Sequence, residues 1–290
     1  MNYLEIERKY RKMNQVIFNP EKLREMVKGT IDIHIHTGPS TFFPRLMDDY
    51  EIAQDAQKAG LRAIVLKSHF SPTTVRAAVM NKLFENIEVF GGIALNQSIG
   101  GLNLEAVRVA LKQGCKIIFM PTVSVNEVVV VKNGHLVSEA KQILDLLSQF
   151  NPNVVLTTGH LMGPDALILI EKAKELGISN VIVHHPLSSF RMSLTEQKEA
   201  VSMGAYIEHT MVQMMPLHER IDPEKIAESI RNVGVENCIL STDFGQVYNP
   251  PPSEGMRMLI ATMAVKGFSS EEIQIMVKQN PGKLLGLIED

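Results

Sequence analysis

Two histidines stand one residue apart in the segment TIDIHIHTGPS, residues 30–40, inside an apolar and β-branched run. In a β-strand, residues i and i+2 face the same side. The spacing therefore predicts that His34 and His36 point together with Asp32, while the three isoleucines of the run take the other face. Two imidazoles on a buried face need partners, because unpaired buried polar groups are costly. A cation or an acid from elsewhere in the chain would meet that need.

The elements that position these histidines are short β-rich runs that alternate with amphipathic helical patterns. The eight strand candidates are IDIHIH, LRAIVLKSH, EVFGGIALN, CKIIFMPT, NVVLTTGH, NVIVHHP, AYIEHT and NCILSTD. Strands that alternate with helices predict a parallel sheet, and eight such units predict a (β/α)8 TIM barrel. A doubly wound open sheet is the main alternative, but the G-x-G-x-x-G typical of that fold does not follow the first strand.

We interpret the chain as one barrel domain with two additions. Residues 1–29 are polar and rich in charge, and they predict an N-terminal helical extension in which Pro20 opens a helix and Gly29 closes it. Residues 30–290 form the barrel domain. Between strands four and five, the run VVVVKNGHLV predicts a β-hairpin that turns at Asn133–Gly134 and projects from the mouth of the barrel.

Composition excludes several classes of protein. The formal net charge is −3 over 290 residues, which gives no support to a nucleic-acid partner. No apolar run approaches the ~20 residues of a membrane span, and no signal-peptide pattern is present. Cys115 and Cys238 are the only cysteines, and we expect free buried thiols in a reducing compartment. These features predict a cytoplasmic protein acting on a small molecule, with a homodimer or a larger homo-oligomer as the base-rate expectation.

Most of the nine histidines fall where strands are predicted to end. Seven lie at or just past the carboxyl end of a strand candidate: His34, His36, His69, His160, His184, His185 and His209. Asp243 ends strand eight, and Glu208 ends strand seven. In a (β/α)8 barrel these ends converge on the face that carries the active site.

The chemistry that this clustering predicts is that of a metal centre. Neutral imidazoles and a carboxylate suit zinc, with manganese, iron or nickel as alternatives. Such an ion lowers the pKa of water so that hydroxide is available near neutral pH. A nearby carboxylate can accept the proton of that water and later return it to a leaving group.

In these features the chain resembles the metal-dependent amidohydrolase superfamily. The resemblance rests on His-x-His ending strand one, on histidines ending strands five and six, on the aspartate ending strand eight, and on the tail NPGKLLGL at 280–287. It implies a distorted TIM barrel with a hydrolytic metal centre. It also implies that His34, His36, His160 and His185 are metal ligands, and that Asp243 is both a ligand and the proton acceptor.

The sequence departs from the two-metal pattern of that superfamily at strand four. Two-metal members bridge their ions there with a carboxylated lysine or a glutamate, whereas this strand ends with Met120. The site therefore holds one ion, or it holds a second ion through other ligands. His69 is the replacement ligand that we expect, and a histidine after strand two also resembles the PHP phosphoesterases. Lys67 and Glu127 are weaker candidates for bridging an ion or contacting substrate.

The adjacent histidines of strand six leave a choice of ligand. Neighbouring strand residues face opposite sides, so His184 and His185 both reach the centre only if the strand has already turned into a loop. The resemblance favours His185, and His184 remains the alternative.

Further residues are candidates for substrate binding. Arg45 and Arg191 follow strands one and six, where a guanidinium could hold a substrate carboxylate or phosphate. Glu208 either contacts substrate or forms a structural salt bridge with Lys67. His209 either contacts substrate or orients a neighbouring residue.

These observations predict a metal-dependent hydrolase that acts on a small amide, a cyclic amide or a lactone. Asp243 is the predicted catalytic residue, and one or two divalent ions are the predicted cofactor. A PHP-like phosphoesterase and a metal-dependent decarboxylase on the same barrel are the enzymatic alternatives. The non-enzyme alternative is a barrel that binds or senses metal without turnover.

Overall fold

The structure is a computed structural model that describes residues 2, 4–5, 19–150, 154–189 and 192–288. Its main feature is a single sheet of eight parallel strands, paired in the order β1-β2-β3-β4-β7-β8-β9-β10. The eight strands are β1 (Ile31–His36), β2 (Ala63–Lys67), β3 (Glu88–Ala94), β4 (Ile117–Phe119), β7 (Val155–Thr157), β8 (Val181–Val183), β9 (Tyr206–Thr210) and β10 (Cys238–Ser241). All eight predicted strands are thereby confirmed.

The first and last strands meet, so that the sheet nearly closes. The backbone N–H of Asp243 donates to the carbonyl of His34 at 2.8 Å, and the N–H of His36 donates to the carbonyl of Phe244 at 2.7 Å. Helices follow the strands and surround them. The predicted (β/α)8 barrel is confirmed.

The helices begin and end where their local chemistry predicts. Asp48 and Ser193 each form a capping box, in which the side chain accepts the third backbone N–H of the helix while a glutamate caps in return. The helices are α1 (Pro20–Val27), α2 (Asp49–Ala59), α3 (Thr74–Leu83), α4 (Leu104–Lys112), α5 (Ser138–Ser148), α6 (Gly163–Glu175), α7 (Leu194–Ser202), α8 (Pro223–Val233), α9 (Pro252–Val265), α10 (Ser270–Gln274) and α11 (Asn280–Leu284). Within the described residues, no helix is long and apolar enough to pass through a bilayer.

The insertion after β4 contains the predicted hairpin. Its strands are β5 (Val131–Lys132) and β6 (His135–Leu136), and they pair antiparallel. Asn133 and Gly134 both have positive φ, 53° and 75°, as a type I′ turn requires. Asparagine and glycine tolerate this backbone region better than other residues.

The N-terminal segment is described only in part. Helix α1 begins after Asn19, whose side chain accepts from the N–H groups of Glu21 and Lys22. Gly29 follows the helix with φ 75°, so the predicted start and stop of this helix are confirmed. Residues 6–18 of the predicted extension lie outside the described residues, and the division of the chain at residue 29 remains a prediction.

An apolar plug fills the barrel below its mouth. Strand alternation sends one set of buried residues inward from the strands, and two leucines close the bottom of the barrel. This set is Ile31, Ile33, Ala63, Val65, Ala94, Ile117, Phe119, Val155, Ile182, Ile239, Leu284 and Leu285. A second, larger apolar cluster fills the space between the sheet and the helices. Side chains just above the plug are therefore held by packed neighbours on every side.

Strand β1 is not a regular strand, and the predicted alternation is wrong for Asp32 and for Ile31 and Ile33, which face the barrel interior as the histidines do. Asp32 pairs with Ile64 and Ile35 pairs with Leu66, so β1 carries one more residue than β2 over this stretch. Such a bulge changes which face the following residues take. The Asp32 carboxylate instead accepts from the N–H and the hydroxyl of Thr242, at 3.1 and 2.5 Å. Asp32 thus joins β1 to the end of β10.

Candidate metal centre

Polar side chains form a layer at the carboxyl ends of the strands, directly above the apolar plug. The members of this polar layer are His34, His36, Lys67, His184, Glu208 and Asp243. Each is less than a tenth exposed. A pocket of about 200 Å³ opens above the layer, at the end of the barrel where active sites form.

His34, His36 and Asp243 form the core of the layer. The Nε2 atoms of both histidines lie 3.0 Å from the same carboxylate oxygen, Oδ1 of Asp243. The bulge in β1 lets both rings face the barrel interior, although Ile31 and Ile33 before them also face it. Two imidazole nitrogens and a carboxylate oxygen that converge on one point form a donor set suited to zinc.

The loop that carries Asp243 is fitted closely to β1. Asp243 has φ 54°, a region that few non-glycine residues occupy. Gly245 lies so close to the chain that a Cβ atom there would fall 1.8 Å from the carbonyl oxygen of His36. Glycine is therefore required at this position, and its absence of a side chain lets the aspartate reach the histidines.

Glu208 lies behind two of the histidines. Its Oε1 is 3.1 Å from Nδ1 of His34, and its Oε2 is 2.8 Å from Nδ1 of His184. The hydroxyl of Ser241 donates to Oε1 at 2.5 Å. A carboxylate on Nδ1 fixes the ring orientation and leaves Nε2 to serve as the ligand. The structure therefore places Glu208 behind two candidate ligands, and it does not form the salt bridge with Lys67 that was the alternative.

His184 and His185 both reach the centre because the strand has turned. Strand β8 ends at Val183, and His185 has φ 26°. The two ring centroids are 4.1 Å apart, and His160 lies 5.5 and 5.1 Å from them. Ligand atoms of these three histidines lie within 4.8 Å of one another. The choice between His184 and His185 therefore stays open, since either can join His160.

His69 lies next to His36 at the pocket. The ring centroids of His36 and His69 are 4.5 Å apart. Nδ1 of His69 is 3.1 Å from the hydroxyl of Thr122, which in turn accepts from the side-chain amide of Asn96. His69 lines the pocket and is held by residues that follow β3 and β4.

Lys67 is a buried cation in contact with the histidines. Its Nζ lies 2.9 Å from Nε2 of His34 and 3.2 Å from Nε2 of His184, and 4.6 Å from the centre of the Phe119 ring. Burial lowers the pKa of Lys67 to about 8. An ion bound to Nε2 of His34 would use the lone pair that Lys67 now faces, so the ammonium and the ion compete for this nitrogen.

The electrostatics of the layer favour cation binding. Burial lowers the pKa of His36, His69, His160, His184 and His185, so these rings are neutral near pH 7, as metal ligands must be.

The two carboxyl groups of the layer remain ionised. Burial acts to raise the pKa of Asp243, but His34 and His36 outweigh burial and hold it well below its usual range. His34 and His184 do the same for Glu208. The layer therefore places negative charge next to the neutral nitrogens of His36 and His184, whereas Asp243 and Glu208 raise the pKa of His34 against the effect of burial.

Several predicted site residues lie elsewhere. Nε2 of His209 is 3.1 Å from the hydroxyl of Ser229 on α8, so this ring faces the helices and not the pocket. Glu127 lines a separate surface groove beside the insertion. Arg45 does line the pocket. Arg191 lies outside the described residues.

Other pocket residues were missed in the sequence. His218 and Tyr248 line the pocket, with ring centroids 5.5 Å apart, as do Gln213 and Gln246. Each follows β9 or β10 in a loop whose path depends on the neighbouring loops. The only sequence signal that could have identified these residues is their position after a predicted strand end.

Comparison with solved structures agrees with this fold. An amidohydrolase from Pseudomonas aeruginosa has a TM-score of 0.70 at 16% identity, covering 92% of this chain and 98% of that one. The probable dipeptidase PvdM from the same organism has a TM-score of 0.66 at 14% identity, covering 94% and 98%. The lactonase Lmo2620 from Listeria monocytogenes has a TM-score of 0.61 at 13% identity, covering 92% and 97%. The fold is that of the amidohydrolase-like barrels.

Comparison of the sequence gives the family. Residues 29–208 match the model of a Family of unknown function (DUF6282), and the chain belongs to that family. No curated protein matches the chain.

Proposed function

We propose that the protein is a metal-dependent hydrolase. The observation that carries the proposal is the convergence of His34 and His36 on one oxygen of Asp243, with Glu208 behind His34. Structural neighbours whose names describe an amidohydrolase, a probable dipeptidase and a lactonase support it.

The residues present fit one or two divalent ions. His34, His36 and Asp243 would hold the first ion, and His160 with His184 or His185 would hold a second. Nitrogen ligands with a carboxylate favour zinc, with manganese, iron or nickel as alternatives. When bound, such an ion acts as a Lewis acid that polarises a carbonyl group and makes a water molecule more acidic.

Asp243 is suited to move the proton. Its Oδ1 is shared by two histidines, whereas its Oδ2 lies 3.9 Å from Nε2 of His185. We infer that Oδ2 accepts a proton from the attacking water and returns it to the leaving group. Glu208 holds His34 in place during this transfer.

The substrate class follows from the pocket and its neighbours. A pocket of about 200 Å³ suits a small molecule, and a site that polarises a carbonyl suits an amide, a cyclic amide or a lactone. His69 and Lys67 line the pocket, where His69 would contact substrate or a second ion and Lys67 would contact substrate.

Metal content and turnover test the proposal together. We expect one or two zinc, manganese, iron or nickel ions per chain by elemental analysis of untagged protein purified without chelator, and hydrolysis within a panel of amides, cyclic amides and lactones. Asp243→Asn should lower kcat by about a thousandfold or more. Asp145→Asn, which changes an exposed carboxylate, is the control and should keep full activity. A protein that takes up no such ion contradicts the proposal, and bound metal without turnover on the panel favours a metal-binding or sensing role.

A further inference from the structure

We propose that the substrate carries a carboxylate bound by Arg45, next to a flat apolar group that lies against Phe42, Phe43 and Tyr248. This inference rests on the proposed function, because it names the substrate class of the same pocket. All four side chains line that pocket. None of them belongs to the polar layer.

Backbone pairing fixes Arg45 relative to the proposed metal centre. The N–H of Leu46 donates to the carbonyl of Gly245 at 2.9 Å, and Arg45 forms an antiparallel bridge with Gln246. The loop that carries Arg45 is therefore paired with the loop that carries Asp243. A substrate group held by Arg45 would sit at a set distance from the reacting centre.

The Arg45 side chain has a hydrogen-bond donor that a substrate could use. Its Nε is buried, and it has no hydrogen-bond partner among the described residues. Arginine remains charged in proteins and presents its donors in a planar fork that matches a carboxylate. A buried donor without an acceptor is costly, so an incoming carboxylate would relieve that cost.

The rim of the pocket beside Arg45 is aromatic and exposed. Phe42 and Phe43 are 55% and 45% exposed, and Tyr248 is 41% exposed. Phe42 and Phe43 pack edge to face with centroids 4.6 Å apart. Large exposed aromatic side chains grouped at a pocket mark a binding surface, and aromatic faces favour a planar apolar partner.

The charge of the pocket favours an anion. Arg45, Lys67, Asp243 and Glu219 all line it, and Ser189 already donates to the Glu219 carboxylate from its N–H and its hydroxyl. A divalent ion would make the pocket positive although the chain carries a net charge of −3. The pocket would therefore attract an anion, and the planar fork of Arg45 matches a carboxylate.

Binding of benzoate, benzamide and acetate to the whole protein tests the inference. We expect calorimetry to show that benzoate binds at least about tenfold more tightly than either benzamide, which lacks the charge, or acetate, which lacks the ring. Arg45→Met should weaken benzoate binding by about tenfold or more and leave benzamide binding unchanged, and Arg45→Lys should have an intermediate effect. Phe42→Ala should weaken benzoate binding and leave acetate binding unchanged. Arg108→Met, at a partly exposed arginine paired with Glu105, is the control.

Each titration is run on protein loaded with metal and on protein treated with a chelator. Benzoate binding that persists without metal and is lost in Arg45→Met supports the inference, even if the hydrolase proposal fails. Benzoate binding that needs the metal and is unchanged in Arg45→Met and Arg45→Lys overturns it. Equal binding of benzoate and benzamide to the unaltered protein also overturns it.

Discussion

Glu208 gives the sharpest prediction for a single residue. Replacing it with glutamine keeps the shape of the side chain but removes the charge that faces Nδ1 of both His34 and His184. We expect Glu208→Gln to weaken metal binding by about ten- to a hundredfold, as measured by competition with a chromophoric chelator.

The control for Glu208 is another glutamate away from the site. Glu224 is exposed and pairs with Arg231, so Glu224→Gln should bind metal as the unaltered protein does. Ser241→Ala, which removes only the hydroxyl that donates to Glu208, should have a smaller effect than Glu208→Gln. Unchanged metal affinity in Glu208→Gln would show that Glu208 does not orient the ligands.

Lys67 should have the opposite effect. Its ammonium lies 2.9 Å from Nε2 of His34, the atom that we assign to the metal, and two cations at one site repel each other. Lys67→Met should therefore raise metal affinity by about tenfold or more in the same assay. Lys116→Met is the matched control, because Lys116 lies over the ring of Phe90 at the other end of the barrel. A loss of affinity in Lys67→Met would mean that Lys67 helps to hold the ion.

Individual site residues could be predicted where their order along the chain was informative. Histidines and an aspartate at successive strand ends predicted His34, His36, His160 and Asp243, which the structure brings together. The contacts of Glu208 and Lys67 with those histidines could not be predicted, because they join distant strands across the barrel interior. Such contacts depend on the tilt and closure of the sheet.

At the scale of the element, Gly245 shows how a loop is fitted to a strand. An alanine there would bring Cβ to 1.8 Å from the His36 carbonyl, so the loop or β1 must shift. We expect Gly245→Ala to lower the free energy of unfolding by about 3 kcal/mol and to weaken metal binding, as measured by urea denaturation and chelator competition.

Comparison with a second glycine separates the cost of a steric clash from the cost of a strained backbone conformation. Gly267 also has positive φ, 94°, but an added Cβ would meet nothing within 4 Å. Gly267→Ala should therefore lower the free energy of unfolding by only about 1 kcal/mol and leave metal binding unchanged. Equal losses in both variants would contradict the close fit that we describe at Gly245.

Elements were easier to predict than their irregularities. The strands followed from β-rich runs bounded by turn residues, and the hairpin followed from Asn133–Gly134. The bulge in β1 could not be predicted, because the sequence IDIHIH alternates perfectly and the extra residue is visible only against the register of β2. Pairing partners, and not local preference, decide where a strand bulges.

At the scale of the whole molecule, the two thiols report on global packing. Cys115 and Cys238 are free and buried, and burial raises the pKa of Cys115 to about 12. The folded protein should therefore not react with an aromatic disulfide reagent at pH 8, whereas both thiols should react after unfolding in guanidinium. Rapid reaction of either thiol in the folded protein would contradict this packing.

The same thiols give a pH dependence with a defined sign. The unfolded chain releases the thiol protons near pH 9, whereas folded Cys115 keeps its proton until about pH 12. The contribution of this group to stability is fully present below pH 9 and is lost as the pH rises from 9 towards 12. Urea denaturation at pH 8 and pH 10 should show a smaller loss of stability in Cys115→Ala than in the unaltered protein.

The closure between β1 and β10 has a consequence for how the protein is made. His34 leaves the ribosome long before Asp243 does, so a growing chain displays every proposed histidine ligand before it has the carboxylate. Tight metal binding then depends on a chain that includes β10 and Asp243, and fragments that stop short of β10 should release their ions to a chelator as readily as free histidine peptides do. Tight binding of the ion would therefore distinguish chains in which β1 has closed against the end of β10 from chains interrupted before that point.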